Sequence, residues 1–530
     1  MFHTARATRG MTTAPHRLAA EAGLRVLRDG GNAVEAMLAM AAAVAVVYPH
    51  MNSIGGDGFW VISAPGRKVT GIEAAGRAAV DVDWYRARGL TEIPTRGPAA
   101  ANMVAGTVDG WRLAKAEAEA LGGTLSWGRL LDDAIYHASS GMAVTGSQEK
   151  NTGAKLAELQ DQPGFAPVFL NADGSVPRMG TILKQPALAA TLKAIAVDGP
   201  DSYYRGALAA VIAADLARAG SPVTADHLAA YTARLVEPLK LDHSLGEIYN
   251  MTPPTQGIAS LIALGVADRL KLDQFPADGA DYYHRMVEAI KQAFLVRDRI
   301  LGDPDSMTEN PSDFLKSEAL DAMAARVDPS RALPWPQPAM PGDTVWMGAV
   351  DGNGVAVSFI QSIYWEFGSG IVLRDSGLTW QNRGSAFLLH GTGPRLLKPG
   401  RKPFHTLNPP LARLQDGRVL TYGCMGGEGQ PQTQAALFTR AIVHGQEPQQ
   451  AVSAPRWLLG RSWGAQSFSL KFESRVDPAV LAELKARGHD VEVLGPWEDT
   501  MGHGGMILRH PNGLLEGAND PRSDGAAAGF

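Results

Sequence analysis

Pro341-Gly342-Asp343-Thr344-Val345-Trp346-Met347-Gly348-Ala349-Val350 is the stretch on which the reading of this chain turns. Prolines at 329, 334, 336, 338 and 341 bar a helix or a central strand, so 327–343 reads as an exposed linker. The residues after the linker have strand character up to Asp351-Gly352-Asn353-Gly354, a turn sequence, and a second strand is expected over 355–361. If 351–354 form the turn, Val350 faces Val355, and the ladder sets Thr344 opposite Gln361 and next to Ser362. A threonine at the start of a strand, just behind a linker, can be uncovered by cleavage of the Asp343–Thr344 bond. Its new α-amine, with a pKa of about 8, can then act as base for its own hydroxyl. The residues alone leave open a strand-start threonine with no chemical role.

Beyond this stretch, the 530 residues are 45% apolar and 19% charged, enough for a sizeable core. The net charge of −5 and the lack of a dense basic run point away from nucleic acid and anionic membranes. The single cysteine, Cys424, excludes an internal disulfide and reads as a small core residue. The N-terminal residues lack the apolar run of a secretory signal, so a cytoplasmic protein is expected. Residues 33–48 are Ala- and Val-rich, contain Glu35 and are short for a membrane span, so they read as a buried helix. Asn32 caps it, and Glu35 completes a capping box. Another helix is expected over 16–29, ending at Gly30-Gly31, and one over 281–300 with the stripe Met286, Ile290, Phe294. A glycine loop at 53–58 leads into a strand at 59–62. A hairpin is expected around Gly417, with helices near 432–442 and 478–487.

Tyr422-Gly423-Cys424-Met425-Gly426-Gly427-Glu428-Gly429-Gln430 precedes one of these helices. Consecutive glycines leave backbone N–H groups accessible, and the helix adds its positive end, as an oxyanion hole requires. Gly460-Arg461-Ser462-Trp463-Gly464 matches the nucleophile elbow in letters, but a strand-like segment comes after it where a helix should. Ser462 is therefore set aside. No metal-ligand spacing and no nucleotide-binding motif is found, so neither metal nor cofactor is expected.

Long matches in the same order extend nearly end to end: Ala14-Pro15-His16-Arg17-Leu18-Ala19-Ala20-Glu21-Ala22-Gly23, Gly30-Gly31-Asn32-Ala33-Val34-Glu35-Ala36, Asn52-Ser53-Ile54-Gly55-Gly56-Asp57-Gly58-Phe59, Phe367-Gly368-Ser369-Gly370-Ile371 and Asn519-Asp520-Pro521-Arg522-Ser523-Asp524-Gly525-Ala526. In these the chain resembles the γ-glutamyltranspeptidase family of N-terminal-threonine hydrolases. The resemblance implies an α+β fold, the four-layer αββα sandwich of the N-terminal nucleophile hydrolases. It implies self-cleavage between Asp343 and Thr344 into a large chain, 1–343, and a small chain, 344–530, that together form one domain. A dimer of such heterodimers would be compatible with it. Thr344 matches the family's nucleophile, Ser362 its supporting hydroxyl, and Gly426 and Gly427 its oxyanion glycines.

The departures bear on substrate. Ala75 occupies the position of the arginine that holds a glutamyl α-carboxylate, with Arg77 two residues on. Gln381-Asn382-Arg383-Gly384-Ser385-Ala386 places Ala386 where an acidic residue grips the substrate ammonium, and adds Arg383. A serine pair becomes His405-Thr406. Trp346, and Tyr364 in place of a smaller polar residue, are expected to narrow the pocket. The site has thus lost an ammonium anchor and gained a guanidinium suited to a carboxylate. Arg383 with His405 is expected to hold that carboxylate, with Asn382, Tyr364 and Thr406 around them. A small carboxylate-bearing amide is the expected substrate, and a γ-glutamyl compound or larger side-chain amide the second choice.

Overall fold

A computed structural model describes residues 3–335, 343–460 and 467–530. Two seven-stranded sheets, antiparallel at every ladder, make up its centre. In the first, Asp343–Asp351 lies between Gly10–Ala14 and Ala356–Tyr364, and Asp57–Ser63 lies on the far side of the latter. The second sheet has Val419–Cys424 between Gly504–Arg509 and Leu411–Leu414.

Three apolar clusters define the layering. Met11, Phe59, Trp346, Ile360, Leu411 and Ile507 fill the space between the sheets. Val345, Met347 and Ala349 join the helices Arg17–Arg28, Ala33–Val47 and Trp127–Ser140 on the outer face of the first sheet. The helices Gly257–Arg269, Ala280–Ile300 and Gln430–Phe438 cover the second. The result is the four-layer αββα arrangement of an α+β fold. With even-numbered residues of the strand facing inward, Thr344 falls on the inter-sheet face, one pleat repeat before Trp346.

The expected local signals are realised. Ala33–Val47 is buried along its whole length and starts with the Asn32–Glu35 capping box. Its Ala33 N–H donates to Asp351 Oδ2 at 2.9 Å, tying the helix to the hairpin turn. The helices Arg17–Arg28, Ala280–Ile300 and Pro478–Ala486 lie where spacing put them. The hairpin at Gly417 joins Leu411–Leu414 to Val419–Cys424. Among the described residues, no helix is long and apolar enough to cross a membrane.

One expectation is corrected. Val350 faces Ala356, not Val355, so the ladder is displaced by one residue. Gly354 adopts φ of +87°, and the Asp351 N–H donates to the Val355 carbonyl at 3.1 Å, so the turn consumes Val355 as well. Gln361 therefore faces Val345, and the ladder is irregular between Asp343 and Val345, where Thr344 sits. Of the Pro-rich linker, 336–342 lie outside the described residues, as does Ser462.

Candidate active site

Thr344 is fully buried. Gln430 reaches it from the second sheet's side, its Nε2 donating to Thr344 Oγ1 at 3.4 Å. Gln430 is itself held through Oε1 by Asn408 Nδ2 at 3.0 Å. On the neighbouring strand Ser362 Oγ accepts from the Tyr364 N–H at 2.8 Å, and Ser362 pairs with Asp57 across the next ladder.

The glycine turn carries the chain from Val419–Cys424 into the helix Gln430–Phe438. Gly426 and Gly427 have φ of +127° and +54°, a sharp reversal open to glycine and strained for other residues. Gln256 holds the turn by donating from Nε2 to the Gly427 carbonyl at 2.8 Å and to the Thr406 carbonyl at 2.9 Å. Arg297 backs it, with Nη2 at 2.7 Å from Glu428 Oε2 and Nη1 donating to Gln256 Oε1 at 3.2 Å. Cys424 is a core residue. Burial pushes its thiol up to about 12, and its Sγ lies 3.6 Å from the Gln430 carbonyl.

Arg383 is 1% exposed. Its guanidinium lies over the Tyr364 ring, 3.8 Å from the centroid, and Nη1 donates to Thr406 Oγ1 at 3.3 Å. Among the described residues, Nε and Nη2 have no hydrogen-bond partner. Burial lowers its pKa to about 10, partly opposed by Tyr364 and Asp57. Asn382 directs neither end of its carboxamide into this space: Oδ1 accepts from the Trp365 N–H at 3.1 Å and Nδ2 donates to the Thr95 carbonyl at 2.7 Å. It shapes the loop that carries Arg383.

His405 is fully buried, and its Nε2 lies 2.9 Å from Asp57 Oδ2. Asp57 Oδ1 collects the Gly76 N–H at 2.8 Å, the Gly106 N–H at 3.1 Å and Gln381 Nε2 at 3.2 Å. A carboxylate so surrounded by donors only accepts, so His405 Nε2 carries the proton and Nδ1 presents a lone pair. Among the described residues, Nδ1 has no partner. Burial, then the Arg383 charge, lowers the imidazole to about 4.

Contacts and chain neighbours form a ring from Thr344 through Gln430, Asn408, Thr406, Arg383 and Tyr364 back to Asp343, which pairs with Tyr364. Arg77, the other arginine near the altered motif, donates instead to the Gly400 carbonyl at 2.8 Å. Trp346 belongs to the inter-sheet core and is not a pocket wall: its Nε1 donates to Ser358 Oγ at 2.9 Å. A Cβ on Gly423 would stand 2.4 Å from its indole. Sequence reasoning missed Gln256, Arg297, Asn408 and the role of Asp57. Asp57 stood in a quoted glycine loop, but nothing local marks the other three. It also missed a buried trio, His284, Glu288 and His489. There His284 Nδ1 lies 2.9 Å from His489 Nε2, and Glu288 pairs with Lys291 at 2.7 Å, so these groups satisfy one another.

A hydroxyl, a glycine turn at a helix start and a buried guanidinium are groups that acyl-transfer chemistry can use. The chain is also similar to known proteins in sequence and structure. The chain is 53% identical over 99% of both chains to an oxamate amidohydrolase proenzyme of Klebsiella pneumoniae, and 37% identical, also over 99% of both, to a glutathione hydrolase-like proenzyme of Bacillus subtilis. A cephalosporin acylase from Bacillus halodurans superposes with a TM-score of 0.89 at 31% identity, covering 100% of this chain and 97% of that one. The chain is a hydrolase acting on amide bonds, with the fold of the N-terminal nucleophile hydrolases. The gamma-glutamyltranspeptidase family model matches residues 19–530, and the chain belongs to that family.

Proposed function

We propose that this protein is a self-processing amidohydrolase that splits oxamate into oxalate and ammonia. The observation that carries the substrate is Arg383: a buried guanidinium with Nε and Nη2 unpartnered among the described residues, beside a position, Ala386, that offers no grip for an ammonium. An unpaired buried charge costs several kcal/mol, and a carboxylate-bearing substrate offsets that cost. The identity to an oxamate amidohydrolase proenzyme supports the same choice.

In the precursor, the Thr344 hydroxyl attacks the Asp343 carbonyl, the C–N bond breaks as the acyl group passes from nitrogen to oxygen and frees the α-amine, and water then hydrolyses the ester to release the Asp343 carboxylate and the Thr344 hydroxyl. Chains 1–343 and 344–530 stay together because their strands alternate in one sheet, Asp343–Asp351 lying beside Gly10–Ala14 and Ala526–Gly529 closing its edge. In the mature enzyme the amine takes the Thr344 proton as Oγ attacks the amide carbon, with Ser362 supporting the hydroxyl. The N–H groups of Gly426 and Gly427 stabilise the oxyanion, a contribution of about 3 kcal/mol per donor. Ammonia leaves with the proton from the amine, and water hydrolyses the oxalyl ester. Arg383, steadied by Tyr364 and Thr406, holds the carboxylate.

Two measurements test this. Incubated wild-type protein should run as two bands on a denaturing gel, the smaller starting Thr344-Val345-Trp346, and should release ammonia from oxamate but no chromophore from a γ-glutamyl anilide. Thr344→Ala should remain one band, and its turnover should fall on the order of 10⁴-fold or more. A two-band Thr344→Ala would assign the cut to another protease. Chromophore release without ammonia would move the enzyme to the γ-glutamyl hydrolases and transferases.

A further inference from the structure

The buried groups around Arg383 carry a finer statement about what is recognised. Two orphaned sets of opposite sense sit in one neighbourhood: Nε and Nη2 of Arg383 are donors, and Nδ1 of His405 is an acceptor. Both residues are at most 1% exposed. Next to His405 in the chain is Thr406, whose Oγ1 takes the Arg383 Nη1–H at 3.3 Å, and the Arg383 charge acts on the imidazole. His405 is also not free to turn over: Nε2 is committed to Asp57 Oδ2 at 2.9 Å, and the Phe59 ring packs edge-on, with centroids 4.8 Å apart. Asp57 is pinned in turn by two backbone N–H groups and Gln381.

This arrangement revises the role expected for His405. A neutral imidazole whose N–H is spent on Asp57 offers a lone pair, and a lone pair repels a carboxylate. It suits an N–H. A planar oxamate presents, along one edge, a carboxylate oxygen beside an amide N–H, an acceptor next to a donor. We infer that His405 Nδ1 accepts a hydrogen bond from the amide N–H of the substrate while Arg383 takes the neighbouring carboxylate oxygen, so that His405 selects a carboxamide over the corresponding ester. The inference rests on the reading of the substrate as a small carboxylate-bearing amide. His405 would hold the amide plane so that its carbonyl oxygen is left to the glycine turn, and a buried acceptor left without its N–H makes the ester the poorer ligand.

The test compares oxamate with monoethyl oxalate, which keeps the carboxylate and the reacting carbonyl but has no N–H, and with N,N-dimethyloxamate. Processed wild-type enzyme should favour oxamate over both in kcat/KM. In His405→Gln, whose carboxamide keeps a donor for Asp57 but has no group at the Nδ1 position, the oxamate-to-ester ratio should fall at least tenfold. His405→Asn, which can place an oxygen near that position, should recover part of the ratio. Self-cleavage and a melting curve check that each variant folds. Equal loss on both substrates in His405→Gln, or no loss on either, would overturn the inference. So would wild-type turnover of N,N-dimethyloxamate as fast as oxamate, a result that needs no variant. Wild-type enzyme that processes itself yet hydrolyses neither oxamate nor the ester would instead sink the underlying substrate reading.

Discussion

Arg383 and Arg297 are buried to nearly the same extent, 1% and 2% exposed, yet they live in opposite electrostatic surroundings. Around Arg297 burial pushes the guanidinium down, but Glu428 and Asp298 more than offset it, and its pKa ends above the ordinary value. Around Arg383 burial prevails, and the value falls to about 10. Arg297 is joined to Glu428, Asp298 and Gln256 and so braces the glycine turn. Arg383 has a hydroxyl, an aromatic face and two unpartnered donor atoms among the described residues. Scaffold and site can be told apart on this ground. A buried charge whose counter-charge comes from its own chain holds the fold, and one without is poised for a ligand's charge.

The contrast is most exposed to test at Arg383. Arg383→Met should lower kcat/KM for oxamate by about 10³-fold, roughly 4 kcal/mol, as the anchor for the carboxylate is lost. Its thermal midpoint should stay level or rise, because an unpaired buried charge is replaced by an apolar side chain. A fall in the midpoint would mean that Arg383 is scaffold after all. Arg297→Met should do the reverse. It should lose about 3 kcal/mol in urea unfolding, since Glu428 would be left in the interior without its cation.

Two smaller effects refine the contrast around these residues. Gly423→Ala should cost about 2 kcal/mol, because its methyl would stand 2.4 Å from the Trp346 indole in the inter-sheet core. Denaturant unfolding measures it. The smallest effect, counted per pH unit, comes from the titration of His405. His405 falls from an ordinary 6.5 to about 4 in the folded protein, so between those values the unfolded chain binds more protons than the folded one. Its contribution to stability is complete above about pH 6.5 and is lost as pH drops toward 4, with a slope of up to about 1.4 kcal/mol per unit. The pH dependence of unfolding should therefore be shallower for His405→Gln than for wild type over that window.

Part of the scaffold was legible because its signals are short-range. The capping box of Asn32 and Glu35 spans a single helical turn, and the hairpin before and after Gly354 is a local pattern of strand, turn and strand. Even there the left-handed Gly354 displaced the ladder by one, since letters alone do not say how many residues a turn consumes. The candidate site was marked in the sequence in part. Thr344, Ser362, Gly426, Gly427 and Arg383 stand in recognisable runs, and all are buried, as are Thr406 and Tyr364. The Asp57–His405 bond joins positions 348 apart in the chain, and Gln256 reaches Gly427 across 171. No periodicity or motif encodes such pairings. Trp346 misled for a related reason: its size suggested a pocket wall, and only the facing glycines at 423 and 505 show that it packs between the sheets.

Neighbours a few residues apart were enough to place several helices, the Asp343–Asp351 and Ala356–Tyr364 hairpin and the hairpin at Gly417, and to mark a threonine near a strand start behind a proline-rich linker. Backbone sterics, capping and residue chemistry act directly over such distances. The family resemblance, not local chemistry, implied that Arg383 had entered a motif that had lost its acid. What each buried polar atom meets was settled by tertiary packing alone. Packing gave Arg297 its counter-charges and left two Arg383 donor atoms without partners among the described residues. It also set Asp57 against one nitrogen of His405 and left the other without a hydrogen-bond partner among the described residues. The charge and proton of a buried group are set by what surrounds it, and those surroundings come from four layers packed face to face.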